Sequence, residues 1–165
     1  MHIGIDFDNT IVTYDNVFHK YAVDAGYIGL DVRKNKQVIR DTIRKLPQGN
    51  DKWTELQGFV YGCYMDEAEL TKGIEKFLLA CENRGVSISI ISHKTIFPAA
   101  GPRVNLQEAA KKWINKSKLG LPQENIMFEE TLSGKLGQIK KRGCTHFIDD
   151  LSEVLLHHEF PGEVE

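Results

Sequence analysis

Four short apolar runs, each bounded by glycine or polar residues, stand out in the hydrophobic pattern of the chain. They predict β-strands at residues 3–7, 86–91, 126–128 and 145–148. We interpret these runs as largely continuous, which is typical of strands that are buried on both faces of a parallel sheet.

Helical patterns lie between these strands. Residues 67–84 carry apolar side chains at three- and four-residue spacings and are followed by Gly85, a typical helix stop. Asn105 and Glu108 form a predicted capping box at the start of the next helix, and a shorter helix is predicted at residues 135–142. Strands that alternate with helices predict an α/β fold, a Rossmann-like three-layer arrangement around a parallel sheet.

Length and composition add little to this picture. The chain of 165 residues, 41% hydrophobic and 27% charged, fits one compact protein with a single core. A net charge of -2 gives no general attraction to nucleic acid or to a membrane surface, so both partner classes are disfavoured. The three cysteines lack metal-ligand spacing and no basic-then-apolar leader precedes the first strand, so a cytoplasmic location is expected.

Polar side chains follow three of the predicted strands. Asp6 and Asp8 come at the end of the first strand, Ser92 directly follows the second, and Asp149 and Asp150 follow the last. Ligands of open parallel sheets collect beyond the carboxyl ends of the strands. We therefore expect these groups to meet at one edge of the sheet.

Phosphoryl transfer is the chemistry that such a set of groups serves. One carboxylate can attack phosphorus and carry an aspartyl-phosphate intermediate, while a second protonates the leaving oxygen and later takes a proton from water. Because carboxylates and phosphate repel one another, the site requires a hard divalent cation, and oxygen ligands with retained waters suit Mg²⁺. A hydroxyl and a lysine would hold the phosphoryl oxygens.

The segment DFDNT at residues 6–10 is followed by a serine at the end of a later strand, a lysine near a helix start and a final apolar-Asp-Asp sequence. Together these motifs resemble the haloacid dehalogenase-like (HAD) hydrolase superfamily. The resemblance implies that Asp6 is the nucleophile and that Asp8 is the general acid/base, with its backbone carbonyl on Mg²⁺. The two-residue step between these aspartates also indicates the phosphatases of that superfamily.

The same resemblance assigns the remaining residues of the site. It implies that Ser92 and Lys135 bind phosphate. The implied magnesium ligands are Asp6, Asp8, Asp149 and Asp150. Only 14 positions separate Lys135 from Asp149, which is short for the superfamily, so Lys140 and Lys141 stay open as alternatives to Lys135.

Two further residues are candidate substrate contacts. His93 directly follows Ser92, and Arg103 lies in a loop that is rich in proline and glycine. For each of them the competing interpretation is an ordinary loop residue that faces solvent.

An insertion at residues 14–65 exceeds what a minimal core needs. Its pattern predicts three helical pieces, at residues 17–25, 32–46 and 53–64. By the resemblance, this insertion is a helical cap that covers the active site and selects the leaving group. The predicted division is a core of residues 1–13 and 66–165 and a cap of residues 14–65.

The sequence thus predicts a Mg²⁺-dependent phosphatase that acts on a small phosphorylated metabolite, either a sugar phosphate or a nucleotide, through an aspartyl phosphate. A phosphomutase on the same scaffold is an alternative, since it would use the same core groups. A non-catalytic binding module is the alternative from a different class, and it is disfavoured because both Asp6 and Asp8 are present. The substrate and the oligomeric state stay open.

Overall fold

The chain divides into two compact units. The computed structural model describes all residues, Met1–Glu165. The first unit comprises Met1–Val12, Leu70–Thr95 and Ile114–Glu165, and the second comprises Thr13–Glu69 and Ile96–Trp113.

Six strands and seven α-helices make up the fold. The strands are β1 (His2–Ile5), β2 (Val12–Thr13), β3 (Glu69–Leu70), β4 (Ser87–His93), β5 (Ile126–Glu129) and β6 (His146–Ile148). The helices are α1 (Asp15–Asp24), α2 (Lys36–Ile43), α3 (Gly49–Tyr61), α4 (Ile74–Asn83), α5 (Leu106–Lys116), α6 (Leu132–Lys141) and α7 (Ser152–Leu155). No helix in the structure combines the length and the apolar content that crossing a membrane requires.

A parallel four-stranded sheet forms the centre of the first unit. Its order is β5-β4-β1-β6, and β2 pairs with β3 in a separate two-stranded sheet. The chain runs outward from β1 to β4 and β5 and then returns to β6 on the other side of β1. This reversal makes the carboxyl ends of β1 and β6 the topological switch point, where open sheets bind ligands. The four predicted strands and the α/β fold are confirmed.

Helices flank the sheet on both faces. Ile91 of β4 packs in one hydrophobic cluster with Leu136 and Ile139 of α6. Ile88 points to the opposite face of the same strand, because side chains alternate along a strand, and it lines a cleft together with Leu78 of α4. The sheet is therefore the middle of three layers.

Gly4 of β1 leaves space for the Phe147 ring of the neighbouring strand β6. A Cβ atom at this position would lie 2.5 Å from Cδ2 of Phe147, well inside the contact distance of two carbon atoms. A larger residue would therefore displace the Phe147 ring, which is 5% exposed and supports the strand that leads to Asp149.

The helix predicted at residues 67–84 begins later than expected. Met65–Glu67 forms a single 3₁₀ turn and Glu69–Leu70 is a short strand, so the helix begins only at Ile74. Gly73 precedes it with φ of 95°, a left-handed conformation that favours glycine. The apolar spacing correctly predicted the helix after Gly73. Before Gly73, residues 69–70 form a strand that pairs with β2.

Caps set two other helix boundaries. The helix predicted at residues 32–46 is shorter, because the Asn35 side chain accepts a hydrogen bond from the Val38 amide at 3.1 Å and so caps α2. The Thr131 hydroxyl accepts from the Gly134 amide at 3.0 Å, which starts α6 three residues earlier than predicted. The first turns of both helices are fixed by these bonds.

The second unit is built on helices α1, α2 and α3. The rings of Phe18 in α1 and Trp53 in α3 stack with their centroids 4.8 Å apart. Ile39 and Ile43 of α2 are fully buried, so the helix predicted in this segment packs through an apolar face. That residues 14–65 act as a cap over the active site stays a prediction.

Residues 96–113 join the helical unit, whereas the predicted division placed them in the core. Gly58 of α3 allows this arrangement, because a Cβ atom there would lie 2.0 Å from the carbonyl oxygen of Ala100. The Trp113 indole also donates a hydrogen bond to the carbonyl oxygen of Ala68 at 3.0 Å. These contacts join residues that are far apart in sequence, so the local pattern did not indicate them.

Candidate active site

β1 and the turn that follows it carry two carboxylates. The Asp6 amide donates to the carbonyl oxygen of Ile148 at 2.8 Å, so the pairing of β1 with β6 extends to the first carboxylate. The chain turns after Asp8, and Asn9 takes a φ of 62°, a left-handed conformation that asparagine adopts more readily than most residues. Asp6 thus lies at the end of the strand pairing, and Asp8 lies at the start of this turn.

Lys135 joins the first carboxylate to the carboxylate that follows β6. Its Nζ atom lies 2.6 Å from Oδ1 of Asp6 and 2.5 Å from Oδ2 of Asp149. The lysine is 2% exposed, so its charge is removed from water and compensated by both carboxylates. The structure places Lys135 at the predicted site, whereas Lys140 and Lys141 are exposed on α6.

Three carboxylates at this edge fit a divalent cation. One carboxylate oxygen from each of Asp6, Asp149 and Asp150 lies within 4.8 Å of the others. The Asn9 side chain donates to Oδ2 of Asp150 at 3.2 Å, which restricts the exposed member of the set. Hard oxygen donors that converge in this way are the ligands that Mg²⁺ prefers.

Burial raises the pKa of Asp6 to about 6. This value already includes the charge and hydrogen bond of Lys135, which lower the pKa, and the negative charges of Asp149 and Asp8, which raise it. Without a bound cation, the ionised Asp6 carboxylate is thus less stable than that of an aspartate in water. A cation next to this carboxylate favours its ionised form.

Ser92 is the last buried residue of β4 before the strand ends. It is 1% exposed, and its hydroxyl oxygen has no hydrogen-bond partner. Thr10 and Thr71 also carry buried hydroxyls without a partner. Ser92 lies in β4, which pairs with β1, close to the carboxyl edge of the sheet where the carboxylates lie. A hydroxyl in this position can donate to a bound anion.

Lys94 is a site residue that the sequence reasoning missed. Its Nζ atom lies 2.7 Å from Oδ2 of Asp8, and the residue is 5% exposed. Lys94 and Lys135 are the buried lysines of this chain. The available signal was the two-residue spacing from Ser92, because alternate residues of an extended chain point to the same side.

The two candidate substrate contacts, His93 and Arg103, have other partners in the structure. His93 is exposed between two buried residues, and its Nε2 atom lies 3.0 Å from the carbonyl oxygen of Glu130. Arg103 belongs to the second unit, where its exposed guanidinium stacks 4.4 Å from the centroid of the Phe97 ring. Their roles in substrate binding stay predictions.

Comparisons with known proteins identify the fold. No protein-family model and no curated protein matches this chain. A HAD-superfamily hydrolase from Ehrlichia chaffeensis matches with a TM-score of 0.52 and 16% identity over 93% of this chain and 80% of that chain. At this identity the match shows the fold alone, which is HAD-like, as the sequence predicted.

Two further solved structures are similar at a lower score. A haloacid dehalogenase-like family hydrolase from Xanthomonas campestris has a TM-score of 0.49 and 11% identity over 92% of this chain and 74% of that chain. A phosphoserine phosphohydrolase-like protein from Francisella tularensis has a TM-score of 0.48 and 17% identity over 96% of this chain and 82% of that chain.

The Ser92→Ala variant is expected to unfold at nearly the same denaturant concentration as the native protein, because its hydroxyl has no partner to lose. Ser89→Ala is the matched control, since the buried Ser89 hydroxyl lies 2.9 Å from Nε2 of His2. Loss of that bond should lower the free energy of unfolding by about 1 kcal/mol. Equal destabilisation of both variants in urea unfolding would contradict this assignment.

Asp6→Asn is expected to stabilise the cation-free protein above pH 6. The folded-state pKa of about 6 exceeds the value of about 3.9 in an unfolded chain, so the folded state binds more protons between these limits. The free energy of unfolding therefore falls as the pH rises through this window. The variant avoids that loss, which is on the order of 1–3 kcal/mol, equivalent to several °C in the melting temperature.

Thermal unfolding in EDTA at pH 5 and pH 8 tests whether the stabilisation by Asp6→Asn increases with pH. The advantage of Asp6→Asn over the native protein should be larger at pH 8. An advantage that is independent of pH, or that is greater at pH 5, would show that the ionised carboxylate is not the destabilising group.

Mg²⁺ is expected to raise the melting temperature of the native protein, since a ligand that binds only the folded state stabilises it. Asp150→Asn should reduce this rise, because the variant removes one carboxylate of the convergent set. Glu153→Gln on α7 removes an equally exposed carboxylate outside the set and is the matched control. The melting temperature is measured by calorimetry at increasing Mg²⁺ concentrations. An equal rise in both variants would contradict the proposed cation site.

Proposed function

We propose that this chain is a phosphatase that hydrolyses a small phosphorylated metabolite through an aspartyl phosphate on Asp6. The observation that carries the proposal is the buried bridge from Lys135 to Asp6 and Asp149 at the switch point of a HAD-like sheet. A second carboxylate, Asp8, follows two residues later with a buried lysine of its own. An ion pair that only stabilised the fold would not require two buried lysines and three carboxylates at one edge of the sheet.

The first half of the reaction transfers the phosphoryl group to the protein. An Asp6 carboxylate oxygen attacks phosphorus, the new oxygen–phosphorus bond forms, and the bond from phosphorus to the ester oxygen breaks. Asp8 donates its proton to that leaving oxygen, so the product leaves as a neutral alcohol. The intermediate is the acyl phosphate of Asp6.

The second half releases the phosphate. Asp8, now a carboxylate, takes a proton from a water molecule whose oxygen attacks the same phosphorus atom. The bond between phosphorus and the Asp6 oxygen breaks, and its electron pair returns to the Asp6 carboxylate. Inorganic phosphate is released, and both aspartates regain their starting protonation states.

Neighbouring groups hold the phosphoryl oxygens during both steps. The Ser92 hydroxyl and the Lys135 ammonium are the donors that we assign to these oxygens. Asp6, Asp149 and Asp150, with the backbone carbonyl of Asp8, would hold Mg²⁺, which supplies positive charge between the carboxylates and the phosphoryl group.

The substrate class is left at small phosphorylated metabolites, with sugar phosphates and nucleotides as its main members. The proposal does not extend to a particular alcohol, because Asp8 acts on the leaving oxygen, which all phosphate monoesters have in common. The cytoplasmic location inferred from the sequence stays a prediction.

Phosphate release from a panel of sugar phosphates, nucleotides and small phospho-acids tests the proposal, with Mg²⁺ and with EDTA. We expect turnover that requires the cation and falls by at least about 10³-fold in Asp6→Asn, since that variant lacks the nucleophile. Glu82→Gln is the control, because this exposed carboxylate lies at the end of α4 that leads into the start of β4.

Two outcomes would contradict the proposal. Turnover that persists in Asp6→Asn would exclude an aspartyl phosphate at this position. No net phosphate release from any compound, together with isomerisation of a sugar phosphate that depends on a sugar bisphosphate, would indicate a phosphomutase instead.

A further inference from the structure

We propose that Lys94 is a positioning residue, which fixes the direction in which Asp8 presents its proton to the leaving oxygen. This inference rests on the proposed phosphatase function and assigns a role that neither the motifs nor the fold supply. It predicts a dependence on the chemistry of the leaving group, which a merely structural lysine would not produce.

The contact between the two side chains is short and protected from water. Lys94 Nζ lies 2.7 Å from Asp8 Oδ2, and the two side chains are 3% and 21% exposed. Burial of a lysine is unfavourable unless its charge is compensated, so this pair is held together by more than the weak attraction of exposed ions. A carboxyl group that is held at one oxygen has the direction of its other oxygen fixed as well.

Both ends of Lys94 are anchored. Its amide donates to the carbonyl oxygen of Glu129 at 2.8 Å, so pairing between the two strands continues one residue beyond the end of β4. Its ammonium group lies 5.7 Å from the centroid of the Phe7 ring, within the range of a cation–π contact. The lysine therefore holds the carboxyl group from a rigid part of the sheet.

The two buried lysines divide their contacts between the two carboxylates of the DFD segment. Lys135 contacts Asp6 and Asp149, whereas Lys94 contacts Asp8. They come from different elements, since Lys135 lies in the first turn of α6. The nucleophile and the acid thus have different lysine partners, and a change at Lys94 leaves the ion pair between Lys135 and Asp6 in place.

Protonation of the leaving oxygen matters most when the leaving group is basic. An aliphatic alkoxide needs the proton from Asp8, whereas a nitrophenolate leaves readily without it. Benzyl phosphate and p-nitrophenyl phosphate are suitable probes, because both carry one aromatic ring and differ mainly in the basicity of the leaving oxygen. Loss of Asp8 positioning should therefore slow the first compound more than the second.

The experiment measures kcat/KM for both probes in the native protein, Lys94→Met, Lys94→Arg and Lys140→Met. We expect Lys94→Met to lose about 10–10²-fold on benzyl phosphate and less than about 3-fold on p-nitrophenyl phosphate, as for partial loss of general acid catalysis. Lys94→Arg should recover part of the loss. Lys140→Met, which removes an exposed lysine of α6, should match the native protein on both probes.

Asp8→Asn and the double variant Asp8→Asn/Lys94→Met, together with Lys94→Met and the native protein, form a double-mutant cycle. If Lys94 acts through Asp8, the double variant should be no slower on benzyl phosphate than Asp8→Asn alone. The cycle also covers the case in which Lys94→Met folds poorly, because neither charge of the pair remains in the double variant.

Each remaining outcome overturns the role of Lys94. An equal loss on both probes would place Lys94 on the phosphoryl group itself, and no loss on either probe would leave it a structural lysine. Native protein that turns over phosphate esters with Mg²⁺ would in both cases leave the proposed function standing. Native protein that turns over neither the panel nor the two probes would overturn the proposed function and, with it, this inference.

Discussion

The candidate site depends on one buried cation. Lys135 lies within 2.6 Å of Asp6 and 2.5 Å of Asp149, and without it two carboxylates would share a buried edge of the sheet with no compensating charge. Removal of the lysine would leave both buried carboxylates uncompensated, whereas loss of the Asp6 charge leaves Lys135 compensated by Asp149. The cap at Thr131 is thus also a feature of the site, since it fixes the turn of α6 that carries this lysine.

The same edge keeps groups that a purely structural protein would avoid. The Asp6 carboxylate is buried to the point that its pKa rises to about 6, and the Ser92 hydroxyl lacks a hydrogen-bond partner. Both features lower the stability of the site, and a cation beside Asp6 and an anion that accepts from Ser92, as proposed, would offset that loss. Groups that favour function over stability are expected at active sites and rare elsewhere.

Much of the arrangement could be predicted because it follows from short-range rules. Continuous apolar runs identified the four strands, and the carboxyl ends of parallel strands meet at one edge, so the sequence alone predicted that Asp6 and Asp149 lie close together. The differences between prediction and structure have long-range causes. The start of α4 depends on strand pairing of residues that are far apart, and residues 96–113 join the helical unit through contacts at Gly58 and Trp113.

The sequence by itself determined the four strands of the parallel sheet, the α/β fold and most of the residues that carry the proposed chemistry, because these depend on periodicity and on motifs of a few adjacent positions. Only the tertiary structure decided which lysine serves which carboxylate. Lys94 and Asp8 are 86 positions apart, and Lys135 and Asp6 are 129 apart. A partner at that distance is set by sheet order and helix packing, which bring remote side chains together only once the whole core has formed.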